Sequence, residues 1–205
     1  MKRLFSVLLP LVAAPLASGQ LDQNSNQQSD IWEIHYGAQN LPAIGDNDGD
    51  GYSNGLESVA GTNPLSAASF PRVDLFGGPP GFVNLQWPNE AGKKYRVLGG
   101  PTPGQAGLTL LDTLSGEGAS LSDLMSTGGQ QAWFFKLEAL DQDEDADGLT
   151  NWEELKMGFD PRLNHTNRHD TADLARVQSS LNAASTITVG LIDDDIREDW
   201  PDRGV

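Results

Sequence analysis

The sequence contains no cysteine, so disulfide bridges and thiol chemistry are excluded. Basic residues are also scarce: 13 lysines and arginines stand against 29 aspartates and glutamates, and the formal net charge is −16. Such an acidic surface repels a polyanion, and we therefore expect no nucleic acid partner. Long apolar runs are missing as well. No stretch is long and apolar enough to predict a membrane span.

The chain begins with a pattern typical of a secretory signal peptide. Lys2 and Arg3 form a short basic region, Leu4 to Ala17 is almost wholly apolar, and small residues follow. The pattern predicts a signal peptide over residues 1–19, cleaved after Gly19. Cleavage changes the formal charge from −16 to −18, because two basic residues are lost. We therefore expect a secreted or cell-surface protein.

The acidic residues are concentrated in two short segments. Residues 46–57 and 141–154 together hold 11 of the 29 acids. A shift of 97 positions aligns the first segment with the second, and the match continues from Asp46 to Pro64. A solvated face is the usual interpretation of a charge run. The fixed spacing and the duplication indicate cation binding instead.

Each acidic segment contains a twelve-residue loop with oxygen ligands at the positions that calcium sites use. Carboxylates occupy positions 1, 3 and 5, glycine makes the turn at 6, and a backbone carbonyl serves at 7. Position 9 acts directly or through water, and position 12 is a bidentate glutamate. The predicted ligands are Asp46, Asp48, Asp50, Tyr52, Asn54 and Glu57 in the first loop, and Asp143, Asp145, Asp147, Leu149, Asn151 and Glu154 in the second.

The ligand chemistry selects the metal. An all-oxygen set argues against zinc and copper, and magnesium prefers a tighter octahedron with several waters. The predicted cofactor is therefore Ca²⁺. Without a cation the four carboxylates of each loop repel one another, so we expect metal binding and local folding to be coupled.

Short helices are predicted beside the loops. One follows each loop, over Asn54–Ala60 and Asn151–Met157, and a glycine in the left-handed conformation is expected to end each of them. A further helix is predicted before the first loop, with Asp30 as its N-cap and Gly37 at its end. The two loop-and-helix units are assigned to residues 30–71 and 141–162.

The shared pattern D-x-D-x-D-G-x-[ST]-N-x-x-E-x-x-x-G-x-[ND]-P resembles the bacterial thrombospondin type 3-like calcium repeat. Serine or threonine at position 8 and the single short helix differ from regulatory EF-hands, so the loops are EF-hand-like only in their ligands. The resemblance implies a rigid calcium-filled spacer in a secreted or surface protein, with a structural or adhesive role. Here the two copies flank another segment instead of lying in tandem.

Residues 72–140, between the two copies, consist of short apolar or alternating runs separated by Gly and Pro. Five or six strands at this spacing predict a small antiparallel β-sandwich, and the pattern resembles a fibronectin type III-like domain. Trp87, Tyr95, Trp133 and Phe135 are its expected core aromatics. The predicted strands are Val73–Phe76, Phe82–Trp87, Tyr95–Leu98, Leu108–Leu111, Ala119–Leu124 and Trp133–Leu140.

The remaining segments are short. Residues 20–29 have no apolar period and predict a mobile leader. Residues 163–205 predict a linker, a helix that ends at Leu181 and a strand over Thr186–Ile192. Because a lone strand cannot bury its face, we expect this strand to begin an incomplete β segment of a longer protein.

The predicted fold class is mainly β: a small antiparallel β-sandwich flanked by two EF-hand-like calcium loops with short helices. We interpret the chain as a calcium-binding structural or adhesive module, whose partners are calcium and an extracellular protein or glycan. No serine lies in a nucleophile-elbow context, and the best carboxylate clusters are assigned to metal, so we expect no enzyme. Two alternatives stay open: the non-catalytic N-terminal region of a larger exported enzyme, and a β module that binds carbohydrate through Trp87 or Trp133.

Overall fold

The computed structural model describes residues 5–8, 20–104, 107–118, 120–130, 132–166 and 171–183. The elements are β1 (Phe5–Leu8), α1 (Asp30–Tyr36), α2 (Asn54–Ala60), β2 (Asp74–Gly77), β3 (Phe82–Pro88), β4 (Lys93–Gly100), β5 (Thr109–Ser115), β6 (Ser120–Ser126), β7 (Ala132–Asp141), α3 (Asn151–Met157) and α4 (Asp173–Ala183). Within these ranges none of the helices has the length and apolar character needed to cross a membrane. The predicted signal peptide, apart from β1, and the predicted strand Thr186–Ile192 lie outside the described residues.

The strands form two small sheets. One has the order β1-β7-β4-β5 and the other the order β2-β3-β6. Neighbouring strands run antiparallel, except that β1 pairs with β7 in parallel. The six strands predicted between the loops are confirmed as β2 to β7, because alternating burial such as that of Val83, Leu85 and Trp87 in β3 follows directly from the sequence pattern.

Side chains from both sheets share one apolar core. Trp87, Tyr95 and Phe135 are buried in it, whereas Trp133 is half-buried against its edge. The other buried members are Ala60, Val83, Leu85, Val97, Met125, Leu137 and Ala139. Ala60 belongs to α2, so the helix of the first acidic loop is packed into the core of the sheets.

A second apolar cluster joins helix α1 and the residues around it to the second acidic segment and α4. Its buried members are Leu21, Ile31, Trp32, Ala38, Leu149, Trp152, Met157, Phe159 and Val177. They come from the segment before α1, from α1, from the second loop with α3, and from α4. The Trp32 indole N–H also donates to the carbonyl of Thr62 at 2.7 Å. Helix α1 therefore contacts the second acidic segment through the apolar cluster and Thr62, just after α2, through a hydrogen bond.

The structure differs from the mobile leader predicted for residues 20–29. Leu21 is buried in the second cluster, and its backbone N–H donates to Glu153 at 3.0 Å. The hydroxyl of Ser29 donates to the same carboxylate, and Ser29 rather than Asp30 is the N-cap of α1. A buried leucine, a distant glutamate and hydrogen bonds to the carboxylates of Asp22, Asp30 and Glu33 fix this segment. A search for periodic apolar residues detects none of them.

A buried lysine lies where the sheets meet both acidic segments. Lys93, the first residue of β4, forms an ion pair with Asp141 at the end of β7, and its ammonium lies 5.0 Å from the ring centroid of Trp152. The same ammonium is 3.5 Å from the carbonyl oxygen of Ser58 in α2. A buried charge must be paired to be tolerated, so Lys93 fixes the positions of α2, α3 and the strand ends relative to one another.

Gly92→Ala is expected to lower the free energy of unfolding by ~2–5 kcal/mol, since a left-handed backbone costs other residues about 1–2 kcal/mol and overpacking costs about 1–3 kcal/mol. Gly92 has a φ of +81°, and a Cβ there would lie 2.6 Å from the backbone nitrogen of Trp152. Urea denaturation measures the change. Gly104→Ala is the matched control, because Gly104 has a φ of +95° with no atom within 4 Å. Equal losses in the two variants would contradict a close approach at position 92.

Candidate metal centre

The first acidic loop is folded by its own aspartates. The carboxylate of Asp46 accepts from the backbone N–H groups of Gly49 at 2.8 Å and Gly51 at 3.0 Å. Asp50 accepts from the backbone N–H of Tyr52 at 2.8 Å. Gly51 has a φ of +96°, as a sharp turn at position 6 requires. These bonds curl the backbone around the carboxylates.

The second loop repeats these bonds 97 residues later. Asp143 accepts from the backbone N–H groups of Ala146 at 2.7 Å and Gly148 at 3.1 Å, and Asp147 accepts from that of Leu149 at 2.8 Å. Gly148 has a φ of +100°, and Ala146 is left-handed as well, at 60°. The same carboxylate spacing therefore folds both loops in the same way.

The residue at position 8 starts the helix after each loop. The Ser53 hydroxyl caps α2, and the Thr150 hydroxyl caps α3 as part of a capping box with Glu153. The predicted helices over Asn54–Ala60 and Asn151–Met157 are confirmed at the same bounds. Because each helix turns back over its loop, Glu57 and Glu154 approach the aspartates.

Buried carboxylate oxygens converge in each loop without a hydrogen-bond partner among the described residues. They are Asp48 Oδ2, Asp50 Oδ2 and Glu57 Oε2 in the first loop, and Asp145 Oδ2, Asp147 Oδ2 and both oxygens of Glu154 in the second. In each loop, oxygens of the three aspartates lie within 4.8 Å of one another. Ligands at about 2.3–2.6 Å from a shared ion lie no more than about 5 Å apart. Both loops could therefore hold a calcium ion.

Burial and the crowding of negative charge raise the pKa values of the position-12 glutamates. Burial, reinforced by repulsion from Asp50, raises the pKa of Glu57 to about 8. Burial, reinforced by Asp145, raises the pKa of Glu154 to about 9. A bound divalent cation supplies the opposite charge and removes this penalty.

The asparagines at position 9 face the loop backbone. Asn54 Oδ1 accepts from the backbone N–H of Asn47 at 3.3 Å, and its amide N–H donates to the carbonyl of Pro42 at 2.9 Å. Asn151 Oδ1 accepts from the backbone N–H of Glu144 at 2.8 Å. Both side-chain amides thus hydrogen-bond to the backbone of the loop or of the segment before it. Metal ligation by Asn54 and Asn151 stays a prediction. The carbonyls of Tyr52 and Leu149 are likewise predicted ligands.

Two residues outside the loops lie near the position-12 glutamates, and the sequence pattern revealed neither. The Thr62 hydroxyl donates to Glu57 at 3.2 Å. Asp173, the first residue of α4, has a carboxylate oxygen within 4.8 Å of oxygens of Asp147 and Glu154. Thr62 is not repeated, because the second copy has Phe159 at the corresponding position, so comparing the copies does not reveal it. Asp173 follows a linker, and only the fold brings it to the loop.

Comparison with known proteins bears on the first loop. A family model of the bacterial TSP3 repeat matches residues 46–67. Repeats of this family bind calcium and occur in extracellular proteins. No curated protein and no solved structure matches the chain significantly. The first acidic loop is thus similar to a calcium-binding repeat, and the match does not extend to the second loop or to residues 72–140.

Proposed function

We propose that this protein is an exported structural module in which two calcium-bound loops brace a small β-sandwich. The buried carboxylate oxygens that converge in both loops carry the proposal, because only a cation would satisfy all of them together. The first loop matches a repeat whose family binds calcium. The second loop has the same hydrogen bonds as the first, which supports a second site of the same kind.

The packing around the loops favours a structural role for the bound ions over a regulatory one. Helix α2 contributes Ala60 to the core of the two sheets, and α3 contributes Trp152 to the second cluster. A cation that holds the loop therefore also holds the helix against its apolar neighbours. The shared core of the two sheets supports the β-sandwich, and the likeness of residues 72–140 to a fibronectin type III-like domain is part of the proposal.

We also propose that the module has no catalytic activity of its own and acts outside the cell, with an extracellular protein or glycan as its partner. The signal-peptide pattern of residues 1–19 and the occurrence of TSP3 repeats in extracellular proteins support export. The non-catalytic region of a larger exported enzyme is the alternative. Carbohydrate stacking on Trp87 is disfavoured because that ring is 0% exposed, and Trp133 is half-buried.

Glu57→Gln and Glu154→Gln are each expected to remove one calcium ion per chain. Glutamine keeps the volume of the side chain but loses the charge and the bidentate carboxylate that position 12 requires. Isothermal titration of the purified chain with calcium counts the sites: two in the unchanged protein, one in each variant and none in the double variant.

Glu144→Gln is the matched control for this titration. Glu144 lies at position 2 of the second loop and is exposed, and the first loop has Asn47 at the same position. The variant removes the same charge from the same loop, but the residue is not a predicted ligand. We expect it to retain both sites. An unchanged protein that binds no calcium would refute the proposed function.

A further inference from the structure

We infer that Asp173, from helix α4, is an additional carboxylate ligand of the second calcium site. The inference rests on the proposed function and goes beyond it, because the twelve-residue loop ends at Glu154, 19 positions before Asp173. A ligand from a separate helix would make calcium a link between the loop and α4.

Three carboxylates from three segments converge at this place. Oxygens of Asp147, Glu154 and Asp173 lie within 4.8 Å of one another. Glu154 and Asp173 are both 0% exposed. Neither oxygen of Glu154 has a hydrogen-bond partner among the described residues. A fully buried, unpartnered carboxylate that faces two further carboxylates requires a cation more than any exposed acidic cluster does.

Helix α4 is docked on the loop by contacts of its own. The Leu174 side chain lies beside Gly148 of the second loop. Val177, one turn further along, is buried in the second apolar cluster with Phe159. The position of Asp173 is therefore fixed by packing along one face of the helix.

The carboxylate of Asp173 is also oriented by hydrogen bonds. Its Oδ2 accepts from the backbone N–H of Thr166 at 2.8 Å, and its Oδ1 lies 3.3 Å from Arg176 Nη1. Each carboxylate oxygen has two acceptor sites. Both contacts are therefore compatible with a metal bond from the same group, and they hold the group in place before the ion arrives.

Among the residues that the structure describes, no additional carboxylate approaches the first site in this way. Glu57 has one oxygen occupied by the Thr62 hydroxyl, and the residue that corresponds to Thr62 in the second copy is Phe159, which cannot donate. The residue 97 positions before Asp173 is Phe76, an exposed aromatic in β2. The second site thus has five carboxylates against four in the first. Because affinity rises with ligand charge, the second site is expected to bind calcium more tightly.

The test is a calcium titration of the full chain and its Asp173→Asn variant. Asparagine retains an acceptor for the Thr166 N–H, so the start of α4 keeps its hydrogen bond. We expect one of the two sites to weaken about tenfold or more while the other is unchanged. Asp173→Ser, which also keeps a short acceptor, is a second variant and must give the same loss.

Two control variants separate ligation from other effects. Asp160→Asn removes the same charge from the tail of the second copy, where Asp160 pairs with the exposed Arg162, and it should leave both affinities nearly unchanged. Arg176→Gln removes the ion pair but keeps the carboxylate, so it should not weaken binding. If Asp160→Asn and Asp173→Asn lost the same amount of calcium affinity, the loss would be due to long-range charge. Direct ligation by Asp173 would then be overturned.

Hydrogen exchange gives an independent readout. Calcium should increase the protection of the α4 amides, residues 173–183, in the unchanged chain but not in Asp173→Asn. Two sites of unchanged affinity in both Asp173 variants would overturn the inference and leave the proposed function intact. An unchanged chain that binds no calcium would refute the proposed function itself.

Discussion

Removal of calcium is expected to lower the unfolding temperature of this protein by roughly 10–20 °C. A ligand that binds only the folded state adds about 2.7 kcal/mol of stability at a hundredfold excess over its Kd. Two such sites add ~5 kcal/mol. In chains of about 150–250 residues, 1 kcal/mol corresponds to a change of about 2–4 °C. The unoccupied loops, with their crowded carboxylates, are the first parts expected to open.

Circular dichroism melts in saturating calcium and in EDTA measure this difference. Magnesium at the same concentration controls for ionic strength, because its smaller octahedral shell fits the loops poorly. The Glu57→Gln, Glu154→Gln double variant should not respond to calcium. Superimposable melts of the unchanged protein in calcium and in EDTA would refute the proposal that the ions brace the fold.

Trp152→Ala is expected to lower the free energy of unfolding by about 3–5 kcal/mol, the usual cost of emptying the site of a large buried aromatic. The Trp152 ring is buried between two ammonium groups, with Lys93 at 5.0 Å and Lys156 at 5.2 Å from its centroid. His35 of α1 meets it edge-on at 6.0 Å. The variant therefore removes a contact shared by α1, α3 and the first residue of β4.

Leu155→Ala, in the same helix, is the matched control for Trp152→Ala. Leu155 is 44% exposed, so its loss should change stability by no more than about 0.5 kcal/mol. Urea denaturation in EDTA compares the two variants without the contribution of calcium. Similar stabilities of Trp152→Ala and the unchanged chain would show that α3 does not depend on this ring.

Local chemistry explains why the loops and their helices could be predicted from the sequence. The bonds from Asp46 to Gly49 and Gly51 span three and five residues, so spacing alone specifies them. The helix stop at Gly61 follows the same logic, since its φ of +77° suits glycine. Period-2 alternation located strands such as β3, which places one face in the core.

Contacts between distant residues explain what the sequence could not predict. Residues 20–29 carry no apolar period, yet Leu21 bonds to Glu153 across 132 positions. In the sequence Lys93 resembles an ordinary strand lysine. Only the fold brings Asp141 and Trp152 into contact with its ammonium group. Such partners are selected by the packing of whole elements, and short-range spacing contains no information about them.

The packing of helix α1 against the second acidic segment in one apolar cluster has a consequence for how the chain folds. The hydroxyl of Ser29 reaches its acceptor, Glu153, only after a separation of 124 residues is closed. During synthesis the first loop is complete long before α3 exists, so Trp32 is exposed until the partners that bury it have formed. Contacts between residues that are distant in sequence slow folding. Apolar surface that stays exposed until they form is prone to aggregation. The docking of the second copy onto α1 is therefore expected to be the late step of folding, whichever loop binds its ion first.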